Sequence, residues 1–390
     1  MPENKDNKIL NVPNKRELTP NEFDTAEHKE VRLKRNVPNL RFKEFEGEWK
    51  ENYVNEICNE FKSGKAIKAD LILDVGTYPV FGGNGLRGYT STYNHDGLFV
   101  LIGRQGALCG NVRSVIGKTY ITEHAIAVNG NNKSDTNFLH YLFLQMDLGR
   151  FSDQSAQPGL AVNKLLKLKV ITPRIDEQRK IANLLRLLDE RIATQNKIIE
   201  DLKKLKSAIS KKLLDNDRWT TYKIQDIAKI GRGRVISSVE IERQKHPLYP
   251  VYSSQTSNDG IMGYLDDYMF DGEYITWTTD GANAGTVFYR KGKFNCTNVC
   301  GTLKIQPKYD CYFVSLVLQQ ATQKYVSFNL ANPKLMNNIM ASIKIKMPDI
   351  EMQKQLSKIF QTLDSCLLVH QRTCDMYSRE KQYLLCQMFI

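Results

Sequence analysis

The chain has 390 residues, 41% of them hydrophobic and 25% charged, so it is too long for one ordinary core and too apolar for wholesale disorder. Its 55 Lys and Arg outnumber 43 Asp and Glu for a formal charge of +12, an excess that suits an anionic partner, nucleic acid first and an acidic protein surface second. No apolar run approaches a membrane span, and the polar start Met1-Pro2-Glu3-Asn4-Lys5 does not read as a signal peptide, so no membrane partner and a cytoplasmic location are expected.

In chain order, residues 1–36 are rich in Lys, Asn and Glu with few apolar positions, and a disordered tail is expected there. Residues 37–174 read as short strands punctuated by Gly, Asn, Asp and Pro, for example 98–102, with a modest helix at 137–145. This is a compact α+β globule. Residues 175–214 differ: Ile181, Leu184, Leu188, Ile198, Leu202, Leu205 and Ile209 fall in a heptad pattern that has Gln195 as its polar member. The spacing predicts one helix of about 38 residues, roughly 57 Å long. Residues 215–349 return to the strand-and-turn pattern, with a strand at 273–277 and a helix at 312–320. Residues 350–390 then form a second long helix, whose stripe is Leu356, Ile359, Leu363, Cys366, Tyr377 and Leu384, with His370 aligned to Gln195. Pro173 and Pro348 stand just ahead of the two helices, where proline marks a boundary without breaking the helix.

The two halves are copies of one unit. A shift of 175 residues superimposes Pro158, Leu160, Asn163, Lys169, Pro173, Gln178 and Asp189 on Pro333, Leu335, Asn338, Lys344, Pro348, Gln353 and Asp364. The same shift pairs Gly106-Ala107 with Gly281-Ala282 and Gly110 with Gly285, and small insertions offset Trp49 from Trp219. Two equal helices with matching stripes can bury them against each other. Because a whole globule lies between them, the pair is expected to run antiparallel with the globules at opposite ends. The alternative is that each helix packs on its own globule.

Catalytic motifs are missing. There is no phosphate-binding loop, dinucleotide fingerprint, His-Glu-x-x-His or Gly-x-Ser-x-Gly, and no Asn/Asp-Pro-Pro-Tyr/Phe. The six histidines never repeat at matching positions, and Glu123-His124 faces Asn298-Val299 in the second copy, so His124 is read as structural. Of the eight cysteines only Cys296, Cys300 and Cys311 cluster, without a His, and they read as buried thiols and not as a metal site. The lysine-rich face at Lys203, Lys204, Lys206, Lys211 and Lys212 reads as a solvated helix surface.

What the copies share is a glycine frame around changing polar residues. Gly103-Arg-Gln-Gly-Ala-Leu-Cys-Gly-Asn111 becomes Thr278-Thr-Asp-Gly-Ala-Asn-Ala-Gly-Thr286, so Arg104, Gln105 and Leu108 are exchanged for Thr279, Asp280 and Asn283. Arg suits guanine, Gln and Asn suit adenine, and Asp accepts from cytosine, so the pattern fits two readers of different sequences; drifted surface turns are the alternative. Asn111 closes the first frame. Lys65, Arg87, Arg232 and Arg234, with Ser253, Ser254 and Gln255, lie in donor-rich loops suited to phosphates. Gln157, Lys164 and Lys334 lie where each globule closes, as contacts or as part of the hinge into the helix.

The opening Asn36-Val-Pro-Asn-Leu-Arg-Phe42 and Phe45-Glu-Gly-Glu-Trp49, together with the junction Pro173-Arg-Ile-Asp-Glu-Gln-Arg-Lys-Ile181 and its echo Pro348-Asp-Ile-Glu-Met-Gln-Lys-Gln-Leu356, resemble the specificity subunit of type I restriction-modification systems. Met352 departs from the pattern, which usually has Glu there. The resemblance implies a non-catalytic protein of α+β class with two pseudo-symmetric target recognition domains, separated by two long antiparallel helices forming a coiled coil. It implies double-stranded DNA as ligand, each domain reading half of a bipartite target. Two methyltransferase subunits would dock on the helices, with Ile181, Leu188, Leu202, Leu356 and Leu363 as the expected docking positions. Restriction and translocase subunits would join them. No cofactor belongs to this chain; S-adenosylmethionine, and ATP with Mg, would be used by the partners. Two further readings remain at this point, a duplicated enzyme with two related active sites and a coiled-coil scaffold that binds only protein.

Overall fold

A computed structural model describes residues 36–153, 158–214, 216–327 and 332–390. The expected tail therefore lies outside the described residues except for Asn36. The chain divides into two compact units: residues 1–179 with 387–390, and residues 180–386.

In the first unit, strands Cys58–Ser63, Ala125–Gly130, Leu98–Gly103 and Val112–Ile116 lie side by side in that order, all antiparallel. A second sheet sets the hairpin of Tyr78–Gly82 and Gly85–Thr90 beside the short strand Tyr120–Ile121. Strands Lys50–Tyr53 and Lys169–Thr172 pair to tie the start of the globule to its end. Helix Thr136–Gln145 begins where the Asp135 carboxylate accepts from Phe138 N–H at 3.0 Å, which satisfies one of the helix's free donors. Its Phe138, Leu139, Leu142 and Phe143 are buried.

The second unit repeats this. Strands Ala228–Arg232, Cys300–Ile305, Glu273–Thr278 and Val287–Lys291 follow the same order, the smaller sheet again joins a hairpin to a short parallel strand, and Thr220–Lys223 pairs with Lys344–Met347. Helix Cys311–Ala321 is capped by Asp310, which accepts from Phe313 N–H at 2.7 Å. Its core holds Trp277 and Phe313, both with no exposed surface, together with Leu303, Leu356 and Phe360.

The long helices run Ile175–Leu213 and Ile350–Met388, 39 residues each. Each starts with the same buried glutamine. Gln178 accepts from Ser134 Oγ (3.1 Å) and Asp135 N–H (2.9 Å), and donates to the carbonyls of Lys133 and Pro173, both at 2.9 Å. Gln353 accepts from Asp310 N–H at 3.0 Å and donates to Pro348 O at 2.8 Å. These bonds lock each long helix to the capped end of the short helix of its own globule. They give the Pro-x4-Gln spacing of the junction its physical cause.

Within the second unit the helices pair antiparallel: Gln195 meets His370 (2.7 Å), Asp189 meets Lys381 (2.5 Å), and Lys206 meets Asp364. The stripe differs from the expected one. The inward positions are Ile181, Leu185, Leu188, Ile192, Gln195, Ile199, Leu202, Lys206 and Ile209, and a shift of 175 carries each to its equivalent, Leu356 through Leu384. Leu205, Ile359 and Cys366 are exposed instead. The cause is visible in Leu184-Leu185 and Ile198-Ile199, where two adjacent apolar residues satisfy the pattern and only the true three-four alternation turns the second of each pair inward. Lys206 is consequently no member of a solvated face. It and its equivalent Lys381 lay their stems along the seam and end on equivalent aspartates. Both packing alternatives hold, each over part of a helix: Leu356 and Phe360 join the core of their globule, and the middle of the helix pairs with its counterpart.

Candidate nucleic-acid interface

The glycine frames are built from the same bonds in both copies. In the first, Gly103 N–H donates to Asn111 O and Gly110 N–H to Gly103 O, both at 2.8 Å, while Arg104 N–H reaches His124 O at 2.9 Å and Gly106 N–H reaches Pro158 O at 3.0 Å. In the second, Thr278 N–H donates to Thr286 O (3.0 Å), Gly285 N–H to Thr278 O (2.8 Å), Thr279 N–H to Val299 O (2.9 Å) and Gly281 N–H to Pro333 O (3.1 Å). Gly110 and Gly285 hold φ of 85° and 83°, the left-handed region that glycine enters freely. The frame is therefore a backbone object, indifferent to the side chains it carries.

Those side chains differ. In the first copy Gln105 is exposed, Arg104 and Asn111 are half-buried, and Leu108 is exposed at the tip. His124 Nδ1 lies 3.0 Å from Gln105 Oε1, and its Nε2 lies 3.2 Å from Glu123 Oε1. With 45% of its side chain exposed, His124 is part of this polar surface and not the structural histidine expected. The sequence sets Glu123-His124 aside because the second copy has Asn298-Val299 there; what brings His124 beside Gln105, distant in sequence, is the backbone bond between residues 104 and 124.

In the second copy Asn283 is exposed and Asp280 is half-buried, pairing with Lys334 at 3.7 Å. Thr279, expected to read bases, is fully buried: its hydroxyl donates to Val299 O and accepts from Arg232 Nη2, each at 3.0 Å. The buried run of residues 275–279 continues one residue past the end of its strand, so Thr279 packs inward and leaves Arg232 as the group it orients.

The loops beside the frames are more varied. Lys65, Arg87 and Lys164 are exposed, the last paired with Asp153 at 2.8 Å. Arg234 is exposed but held by Glu240, which raises its pKa through a side-chain hydrogen bond and lowers that of Glu240. Ser253, Ser254 and Gln255 are half-buried, and Gln255 turns its amide back onto Ile261 O, so that group serves its own loop. Gln157 lies outside the described residues. The proposed docking positions Ile181, Leu188 and Leu356 are buried and Leu202 and Leu363 half-buried in the stripe, so they join the helices and their globules, and the faces left for other proteins are the outward ones.

Cys300 and Cys311 are pushed up to about 11 and about 12 by burial, which keeps them as thiols. Among the described residues no group of three or more His, Cys, Asp or Glu is placed to hold a metal, and no helix is long and apolar enough to cross a membrane.

The type I restriction modification DNA specificity domain family matches residues 46–204 and again 216–374. A Mycoplasma pneumoniae chain assigned as a type I specificity subunit is 36% identical over 238 residues, 58% of this chain and 96% of that one. The specificity subunit of an Escherichia coli type I restriction enzyme is 40% identical over 176 residues, 44% of this chain and 43% of that one. The crystal structure of a type I S subunit from M. genitalium aligns with a TM-score of 0.74 at 19% identity, over 91% of this chain and 99% of that one, which is agreement in fold. The chain belongs to the family of type I restriction-modification specificity subunits, with two copies of its DNA specificity domain. It is a DNA-recognition protein, the non-catalytic member of its system, and DNA and the other subunits of that system are its partners.

Proposed function

We propose that each globule reads one half of a bipartite duplex sequence through its glycine frame and the loops beside it, and that the paired helices set the distance between the halves. The observation that carries this is the identity of the two backbone frames under unlike side chains: Arg104 and Gln105 with His124 in the first copy, Asp280 and Asn283 with Lys334 in the second. Two equivalent scaffolds with different donors and acceptors suit two different half-sites. Lys65, Arg87, Lys164, Arg232 and Arg234 supply positive charge for the phosphate backbone. Two methyltransferase subunits dock on outward helix faces and restriction subunits join them, in the cytoplasm. S-adenosylmethionine and ATP with Mg are used by those partners.

The test is to co-express the chain with its methyltransferase partner and map methylated bases across a genome. A bipartite motif is expected, with replacement of residues 37–174 changing one half and replacement of 216–349 the other. A motif indifferent to either replacement would overturn the reading. Inserting two heptads at equivalent positions of both helices, near Ile192 and Leu367, should lengthen the spacer alone; an unaltered spacer would remove the ruler.

A further inference from the structure

A charged side chain lies inside the second copy where the first is apolar. Arg290 stands on the edge strand Val287–Lys291, and only 3% of its side chain is exposed. At the repeat offset its counterpart is Val115, which packs with Phe99 and Leu101. A buried guanidinium is costly unless its donors are used, and here they are. Nη1 donates to Asp259 Oδ2 at 2.5 Å, Nη2 to Asp259 O at 2.8 Å, and Nε to Thr276 Oγ1 at 3.3 Å. The guanidinium also lies 3.6 Å from the ring centre of Tyr252 and 4.4 Å from that of Phe288.

The residue it holds is unusual. Asn258, Asp259 and Gly260 take φ of 49°, 53° and 80°, a left-handed run in which two members have side chains. Such a run is unfavourable by itself and persists where surrounding contacts impose it. Arg290 grips its middle residue by side chain and backbone at once. Ser253 N–H then closes the loop on Gly260 O at 2.9 Å, which fixes Ser253, Ser254 and Gln255 in the donor-rich loop. The first copy turns the same corner with a short hairpin that ends on the Gly82–Gly85 pair, where Arg113 of the equivalent strand lays its guanidinium against Gly85, a position that has no room for a side chain.

We infer that Arg290 is a positioning residue for sequence recognition: through Asp259 it holds the 253–260 loop in the one shape that admits the bases read by the second copy. The inference rests on the proposed role of that copy as a half-site reader. Its test uses the full chain with the methyltransferase partner and maps methylation for Asp259→Asn and Arg290→Lys. Asp259→Asn removes the ion pair at an exposed carboxylate and leaves the core alone; Arg290→Lys keeps the charge and loses the fork. In both, discrimination at the second half-site should fall about tenfold, the scale of one good base contact, with the first half-site and the spacer unchanged. An unaltered motif in both variants, or an equal loss of methylation at every site without a change of motif, overturns the inference. A parallel exchange of residues 216–349 separates the two readings. If the exchange moves the second half-site while the point variants do not, the brace fails and the reader stands; if the exchange moves neither half, the reader fails and the brace with it.

Discussion

The first copy closes its helix junction with a buried ion pair, and the second leaves the same place to a methionine. Glu177, 2% exposed, accepts from Arg41 at 2.7 and 2.8 Å and from the Trp49 indole at 3.3 Å. The equivalent Met352 is 42% exposed and lines an open cleft of about 420 Å³ with Trp219, Arg218 and Asp349. The backbone around them is the same in both copies, held by Gln178 and Gln353. A duplicated fold can thus keep the bonds that define its shape while each copy solves its local packing separately. The cores show the same freedom: Trp277 against Gly301 fills the space that Ile102 and Ile126 fill in the first copy.

That last exchange is where the largest effect is expected. A Cβ at Gly301 would lie 2.2 Å from the Trp277 ring, so Gly301→Ala should cost about 3 kcal/mol or more in the second copy. Adding Trp277→Ile should recover much of it, and thermal melting of both variants decides whether the two pairs are interchangeable solutions. Next is the junction. Glu177→Ala removes the ion pair and the Trp49 indole's acceptor while Arg41 keeps the carbonyls of Glu46 and Gly47, and should destabilise the first unit by about 1 to 3 kcal/mol, whereas Met352→Ala should cost less than about 1 kcal/mol. Equal losses in denaturant titrations would show that the ion pair makes no difference between the copies.

The frames give an intermediate effect with a built-in asymmetry. A Cβ at Gly110 would meet Gly149 N at 2.2 Å, while at Gly285 it would meet the movable Val326 side chain at 2.7 Å and at Gly281 nothing within 4 Å. Gly110→Ala should therefore destabilise most, and Gly281→Ala by only about 1 kcal/mol from its left-handed backbone. The smallest effect belongs to the helix seam. Lys381→Met removes a half-exposed pair with Asp189 and should shift stability by less than about 1 kcal/mol, and Lys206→Met should match it. Unequal shifts would break the equivalence of the two positions.

The repeat, the two long helices and the glycine frames were legible because they rest on local rules: an offset that recurs, a heptad alternation, and glycines where φ is positive. The stripe slipped by one residue at Leu184 and Ile198 because adjacent apolar residues satisfy a pattern equally well until a partner helix selects one. Lys206 was read as solvated because its charge is visible in sequence and its stem along the seam is not. Thr279 was read as a base contact from its place in the frame, yet the buried run of the preceding strand continues through it. Gln255 looked free as a polar loop residue, yet its amide closes its own loop.

What the sequence determined by itself is the number of scaffolds, their order and the backbone frame each presents, since these follow from periodicity and from residue types with narrow conformational choices. What only the tertiary structure decided is which polar groups remain available. Arg104, Gln105 and His124 come together across two strands, Asp280 finds Lys334, and Arg290 is drawn inside to hold Asp259. A side chain's donors are either spent on neighbours or left for a ligand, and its neighbours here lie far along the chain, placed beside it by the sheet.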